Sequence, residues 1–261
     1  MESSTKIPTI KEKTKQFFKF DPITTIAALF IVYILSQILA VFIVGLYPNI
    51  NNWTEQRSEY WLNNSAVAQF LFVFIAEIIA IYMVINLVKL AKITNNKVGL
   101  VKPALRDFGW AILFYGIYFV TIIVVMGLAR SIPGLNFEQE QQIGFENAKT
   151  QIELLLTFSS LVLLVPFAEE LMFRGFLFSS LRAKYKFVPS LIATSIIFGV
   201  AHPQFGADAP LLWVAAIDTF ILSAFLCTLR ERSGSIWPGV FLHGIKNGIA
   251  FFLLFGSKIF T

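Results

Sequence analysis

The chain has 261 residues, 56% of them hydrophobic and only 14% charged, where soluble domains carry about 25% charged residues. Its mean hydropathy of +0.71 and its 28 phenylalanines exceed what a soluble fold of this length can bury, whereas lipid can solvate such a surface. The net charge of +5 does not mark a nucleic-acid partner, because the basic residues are spread by topology, and the single cysteine, Cys227, excludes an intrachain disulfide and a cysteine metal cluster.

Residues 1–20 form a polar, lysine-bearing tail, and the apolar run after it is too long for a signal-peptide core and lacks a small-residue cleavage site. Seven mostly apolar stretches follow, near 23–47, 66–88, 108–128, 154–181, 188–202, 210–229 and 236–256, against the roughly 20 residues a span requires. The fifth is short. The fourth is long and contains Pro166, which predicts either a kink or a fresh helix start after a separate short segment. The stretch 129–153, with Pro133, Gly134 and a run rich in Glu and Gln, is the sizeable loop, with room for an amphipathic helix. The expected fold is all-α, a polytopic transmembrane bundle of seven or eight spans. It is organised as a basic tail over 1–20, N-terminal spans over 21–130, an extracytoplasmic loop over 131–153 and a transmembrane core over 154–256.

Lys and Arg collect on the cytoplasmic side of membrane proteins. The tail, the 89–107 loop, the 182–187 turn and the 230–235 turn hold fifteen of them, whereas the alternate connections hold four (Arg57, Arg130, Lys149 and Lys258). The sides alternate correctly through all seven stretches, so the N-terminus is read as cytoplasmic and the chain as a multi-pass protein of the cell membrane.

Six ionisable residues remain inside the spans: Glu77, Glu169, Glu170, Arg174, Asp218 and Lys246. Each costs about 2.5–3.5 kcal/mol at mid-helix on insertion scales, which makes such groups functional candidates. In Glu169-Glu170-Leu171-Met172-Phe173-Arg174, Glu170 and Arg174 are i,i+4 neighbours in the favourable acid-before-base order and are expected to neutralise each other. Glu169 is turned by about 100° from Glu170 and has no basic residue one turn away, so it can aim into a cavity and act as a general base. The bland alternative is that both acids brace neighbouring helices. Asp218 and Lys246 are expected to pair across helices, and Glu77 is read equally well as a brace or as a cavity residue.

Both histidines of the chain lie in or at the edge of apolar spans, beyond the acidic pair. His202 closes Phe198-Gly199-Val200-Ala201-His202, and His243 opens His243-Gly244-Ile245-Lys246-Asn247, which puts His243 and Asn247 on one helix face. A lone membrane histidine is often only an interhelical hydrogen-bonding residue; two, with a carboxylate pair and an Asn, form a candidate site. Other hydrolytic patterns fit poorly: there is no HExxH, no Gly-x-Ser-Gly, and no paired membrane aspartates of the presenilin-like type. Cys227 reads as a small apolar residue.

Glu-Glu-x-x-x-Arg, Phe-x-x-x-His and His-x-x-x-Asn in this order, with Ser235-Ile236-Trp237-Pro238-Gly239 leading into the last, resemble the CAAX protease and bacteriocin-processing family of glutamate-type intramembrane proteases. That family includes the Ras-converting CAAX endopeptidase and many bacterial Abi membrane proteins. The likeness covers roughly 150–250, and relatives commonly carry eight spans where seven are read here.

The resemblance implies an intramembrane endopeptidase working without a cofactor. Glu169 would be the general base, His202 would hold and polarise the water, His243 and Asn247 would donate to the oxyanion, and Glu170 and Arg174 would brace the site. The expected partners are the bilayer and a peptide or lipid-modified protein substrate within it. Two His and one Glu are also a thermolysin-like zinc set, so a zinc-dependent version stays open. So do a non-catalytic immunity or scaffold protein and a small proton-relaying transporter, although the internal repeats expected of the last are missing. Because water must reach Glu169, the cavity is expected to face the cytoplasm.

Overall fold

The computed structural model describes residues 21–134, 144–200 and 213–259. The tail over 1–20, most of the Glu/Gln-rich loop and the segment carrying His202 and Asp208 lie outside the described residues. Eight helices are present among the described residues: α1 Pro22–Ile50, α2 Glu55–Asn64, α3 Ala66–Leu90, α4 Leu105–Ala129, α5 Gln151–Lys184, α6 Phe187–Val200, α7 Trp213–Ser233 and α8 Trp237–Ile259. Six of them are long and apolar enough to cross a membrane, with α6 as a shorter apolar helix and α2 as a polar one. The all-helical, multi-pass reading therefore holds.

Local chemistry sets where the helices begin. Asp21 accepts from the backbone N–H of Ile23 at 2.8 Å and of Thr24 at 3.1 Å, and Pro22 at the first position has no N–H to satisfy. Ser65 caps α3 through the N–H of Ala68. Thr150 and Glu153 close a capping box at the start of α5, with Thr150 accepting from Glu153 N and Glu153 accepting from Thr150 N. Since α5 begins at Gln151, the last residues of the expected loop are already helical.

Pro166 neither breaks α5 nor follows a separate segment. The helix runs through it, flanked by π-helical turns over Ser159–Leu164 and Glu170–Phe178. The missing N–H of the proline is absorbed by a locally wider helix, the form in which π-bulges commonly occur at functional sites.

The bundle presents apolar side chains to lipid. Ile31, Phe42, Ile112, Val120, Phe252 and Leu253 are all more than half exposed, as suits helices solvated by hydrocarbon. Tyr47, Trp53 and Trp61 pack as a mutual ring cluster with Arg57 over Trp53, an interfacial anchor at the end of the bundle opposite the basic loops.

The basic-loop end is closed by packing. Every residue from Glu170 to Leu181 is buried. The 91–101 connection folds beneath the helices, with Ile93 and Val98 in the core. Arg230 donates to Lys97 O at 2.7 Å, Ile236 N to Gly99 O at 3.1 Å and Trp237 Nε1 to Val101 O at 2.6 Å.

Candidate active site

The two sequence motifs that fall on α5 and α8 meet because α8 approaches α5 closely. A Cβ at Gly244 would stand 3.0 Å from the carbonyl oxygen of Val162, and one at Gly239 would overlap the Glu170 carboxylate. A Cβ at either position would force its neighbour to shift, so glycine suits this approach. His243 immediately precedes Gly244, so this contact brings the imidazole to the acidic pair.

His243 Nδ1 lies 3.8 Å from Glu169 Oε2 and 3.8 Å from Glu170 Oε1. That is longer than a hydrogen bond. The two glutamates differ in surroundings as the helix geometry predicts. Glu170 is fully buried and pairs with Arg174 Nη1 at 2.9 Å, whereas the Glu169 side chain keeps 14% exposure and lines a cavity of about 320 Å³. Arg174 is further held by the ring of Phe198, 4.2 Å from its guanidinium carbon. Phe198 also packs edge-on against Phe173 and His243. This is the Phe of the Phe-x-x-x-His motif, and its place is to join the arginine to the histidine.

The cavity is walled by Glu169 of α5, by Asp218 and Thr219 of α7, and by His243, Lys246 and Asn247 of α8. Asn247 Nδ2 donates to Leu161 O at 2.8 Å, a carbonyl in the first π-helical turn, so one of its two N–H groups is engaged. Asp218 Oδ2 meets Lys246 Nζ at 2.9 Å, as the sequence suggests, and Asp218 Oδ1 accepts from Tyr118 OH. Tyr118 was not singled out by any sequence pattern. A hydroxyl on a lipid-spanning helix was the only available signal.

Glu77 is not in the cavity wall. Its Oε2 has no hydrogen-bond partner among the described residues. Cys227 is fully buried, in keeping with a packing role.

His202 lies outside the described residues, so the third member of the expected set is not placed. Glu169 and His243 are the two described donors of the zinc alternative. Their 3.8 Å separation is wider than the roughly 3.3 Å between two ligands of a tetrahedral ion with bonds of about 2.0–2.1 Å.

The cavity does not run toward the basic loops. From His243 it extends along α8 past Asn247 and Phe251 to Leu254, and along α5 back through Val165 to Leu161. It therefore occupies the half of the bundle away from the basic loops, because the other half is filled by the packed second part of α5. With the sidedness read from the Lys and Arg count, that half is the extracytoplasmic one, whereas the sequence reading expected a cytoplasm-facing cavity.

Residues 151–249, the stretch that holds all of these motifs, match the family model for type II CAAX prenyl endopeptidase, Rce1-like. A protein of Bacillus subtilis (strain 168), described as "Putative membrane peptidase YdiL", is 28% identical over 180 residues, covering 67% of this chain and 66% of the relative. The chain thus spans just under two thirds of that relative's length. No solved structure matches. The matched segment takes in α5, α6, α7 and α8 as far as Ile249, leaving α1 to α4 to pack around it.

Proposed function

We propose that the chain is an intramembrane endopeptidase that hydrolyses a peptide bond of a membrane-associated protein or peptide by direct attack of water. The observation that carries the reading is the convergence of Glu169 and His243 on one cavity wall, inside an Rce1-like segment. Glu169 takes a proton from water, whose oxygen attacks the scissile carbonyl carbon, and the carbonyl π electrons move to oxygen. His202 holds and polarises that water. His243 and the second N–H of Asn247 donate to the oxyanion. Such donors in a water-poor site contribute several kcal/mol. Collapse of the tetrahedral species breaks the C–N bond, and Glu169 returns the proton to the departing amine. Glu170 and Arg174, fully buried and paired, hold the helix on which Glu169 sits.

Quantitative mass spectrometry of new peptide termini in membranes tests this, comparing cells that make the wild-type chain with cells that make Glu169→Gln at matched level. Termini dependent on Glu169 are expected, and their sequences expose the substrate class. The same termini in both samples would remove the protease reading in favour of a scaffold or immunity protein. Loss of cleavage with a zinc chelator would assign water activation to zinc held by Glu169, His202 and His243.

A further inference from the structure

We propose that Lys246 is a third, charged oxyanion donor of the same site, held in place by Asp218 and Tyr118. The inference rests on the protease reading above. At about 100° per residue, His243, Lys246 and Asn247 fall within an arc of roughly 100° on α8. All three line the cavity that Glu169 lines. Lys246 is the one cation in the described wall. Asp218 engages its ammonium at 2.9 Å, and an ammonium has three donors, which leaves N–H groups to face the cavity. Both side chains keep about a quarter of their surface, 27% for Lys246 and 22% for Asp218, so the pair is open to whatever occupies that space.

A structural role accounts poorly for this pair. Ionisable groups in a span are costly, and a buried ion pair can often be replaced by apolar residues with no loss of stability. A lysine exposed to a reaction cavity gains its value when negative charge develops there. Asn247 spends one N–H on Leu161 O, which leaves that residue a single donor, and a neutral one. The ammonium adds a full positive charge to the same arc. When water attacks, the carbonyl oxygen gains the electron pair and Lys246 donates a hydrogen bond to it. The lysine keeps its proton throughout, because the proton released by water goes to Glu169 and then to the amine. Asp218 holds the ammonium in place at 2.9 Å, and the Tyr118 hydroxyl fixes the Asp218 carboxylate; these two are positioning residues.

The test uses an internally quenched peptide copying a junction whose termini depend on Glu169, cleaved by the purified full-length chain in lipid bicelles. Lys246→Met is expected to lower kcat about 100-fold, the scale of losing one oxyanion donor, with KM nearly unchanged, and Lys246→Arg to recover most of the rate. If Glu169→Gln is inactive while Lys246→Met turns over like wild type, or changes only KM, the lysine role is overturned and the protease reading stands. If Glu169→Gln cleaves like wild type, the protease reading itself fails. Should Lys246→Met lose its melting transition, Tyr118→Phe decides: the ion pair is left in place, and a drop in kcat of about fivefold at constant KM is expected from the lost hydrogen bond. An unchanged kcat there overturns the proposal.

Discussion

Arg174 Nη1 lies 2.9 Å from Glu170 Oε1, and neither side chain has any exposure. The pair sits inside the second π-helical turn of α5, directly beside Glu169, the proposed base, and Gly239 of α8 approaches its carboxylate. A buried pair is worth little in net stability when both partners are present, but removing one leaves an uncompensated charge.

Replacing either partner alone is therefore expected to be severe. Glu170→Leu or Arg174→Met should each lower stability by about 3–5 kcal/mol. The double replacement should be more stable than either single variant. Thermal melting in detergent, read for all three variants, checks the order.

The Asn247 amide serves two groups, and its variants should separate them. Asn247→Ala leaves the Leu161 carbonyl without this donor, an expected loss of about 1–3 kcal/mol. It also removes the proposed oxyanion donor, with kcat expected to fall about 100- to 1,000-fold. Asn247→Asp removes both N–H donors with little change in volume, so its kcat should fall as far. Melting temperatures beside kcat values test whether turnover falls much further than stability.

Glycines on α8 and α1 should respond in opposite ways. At Gly239 a methyl group overlaps the Glu170 carboxylate, which Arg174 prevents from swinging away, so Gly239→Ala should cost about 1–3 kcal/mol as overpacking does. At Gly45 a Cβ meets nothing within 4 Å, so Gly45→Ala should be neutral or stabilising, by up to about 1 kcal/mol of helix propensity. Detergent melting of the two variants gives the comparison.

The direction of the cavity predicts which face of the membrane reaches it. In a Cys227→Ala background, Thr219→Cys places a thiol in the cavity wall. A membrane-impermeant maleimide is expected to label it from the extracytoplasmic face and not from the cytoplasmic face of inverted vesicles. Labelling from the cytoplasmic face alone would mean a passage through the packed end of α5.

Much of the bundle was legible in the sequence. The membrane spans follow from apolar length alone, since lipid demands long hydrogen-bonded helices whatever the tertiary packing, and the described helices fall within a few residues of the expected stretches. The Glu170–Arg174 pair was legible for the same reason: an i,i+4 contact belongs to one helix. The Asp218–Lys246 pair could be anticipated because two unsolvated opposite charges need partners.

What lies between helices was decided by the tertiary structure. The meeting of His243 with Glu169, the use of Asn247 on Leu161 O, and the hydroxyl of Tyr118 on Asp218 all depend on how far α8 and α4 approach and turn. The cavity's direction depends on it too, since packing of the 91–101 connection and the second half of α5 closes one end. A sequence read along its length carries the period of each helix, and so the face of each residue. It does not carry the rotation and depth of one helix against another, which are fixed only when side chains such as Phe198, or their absence at Gly239 and Gly244, fill the space between.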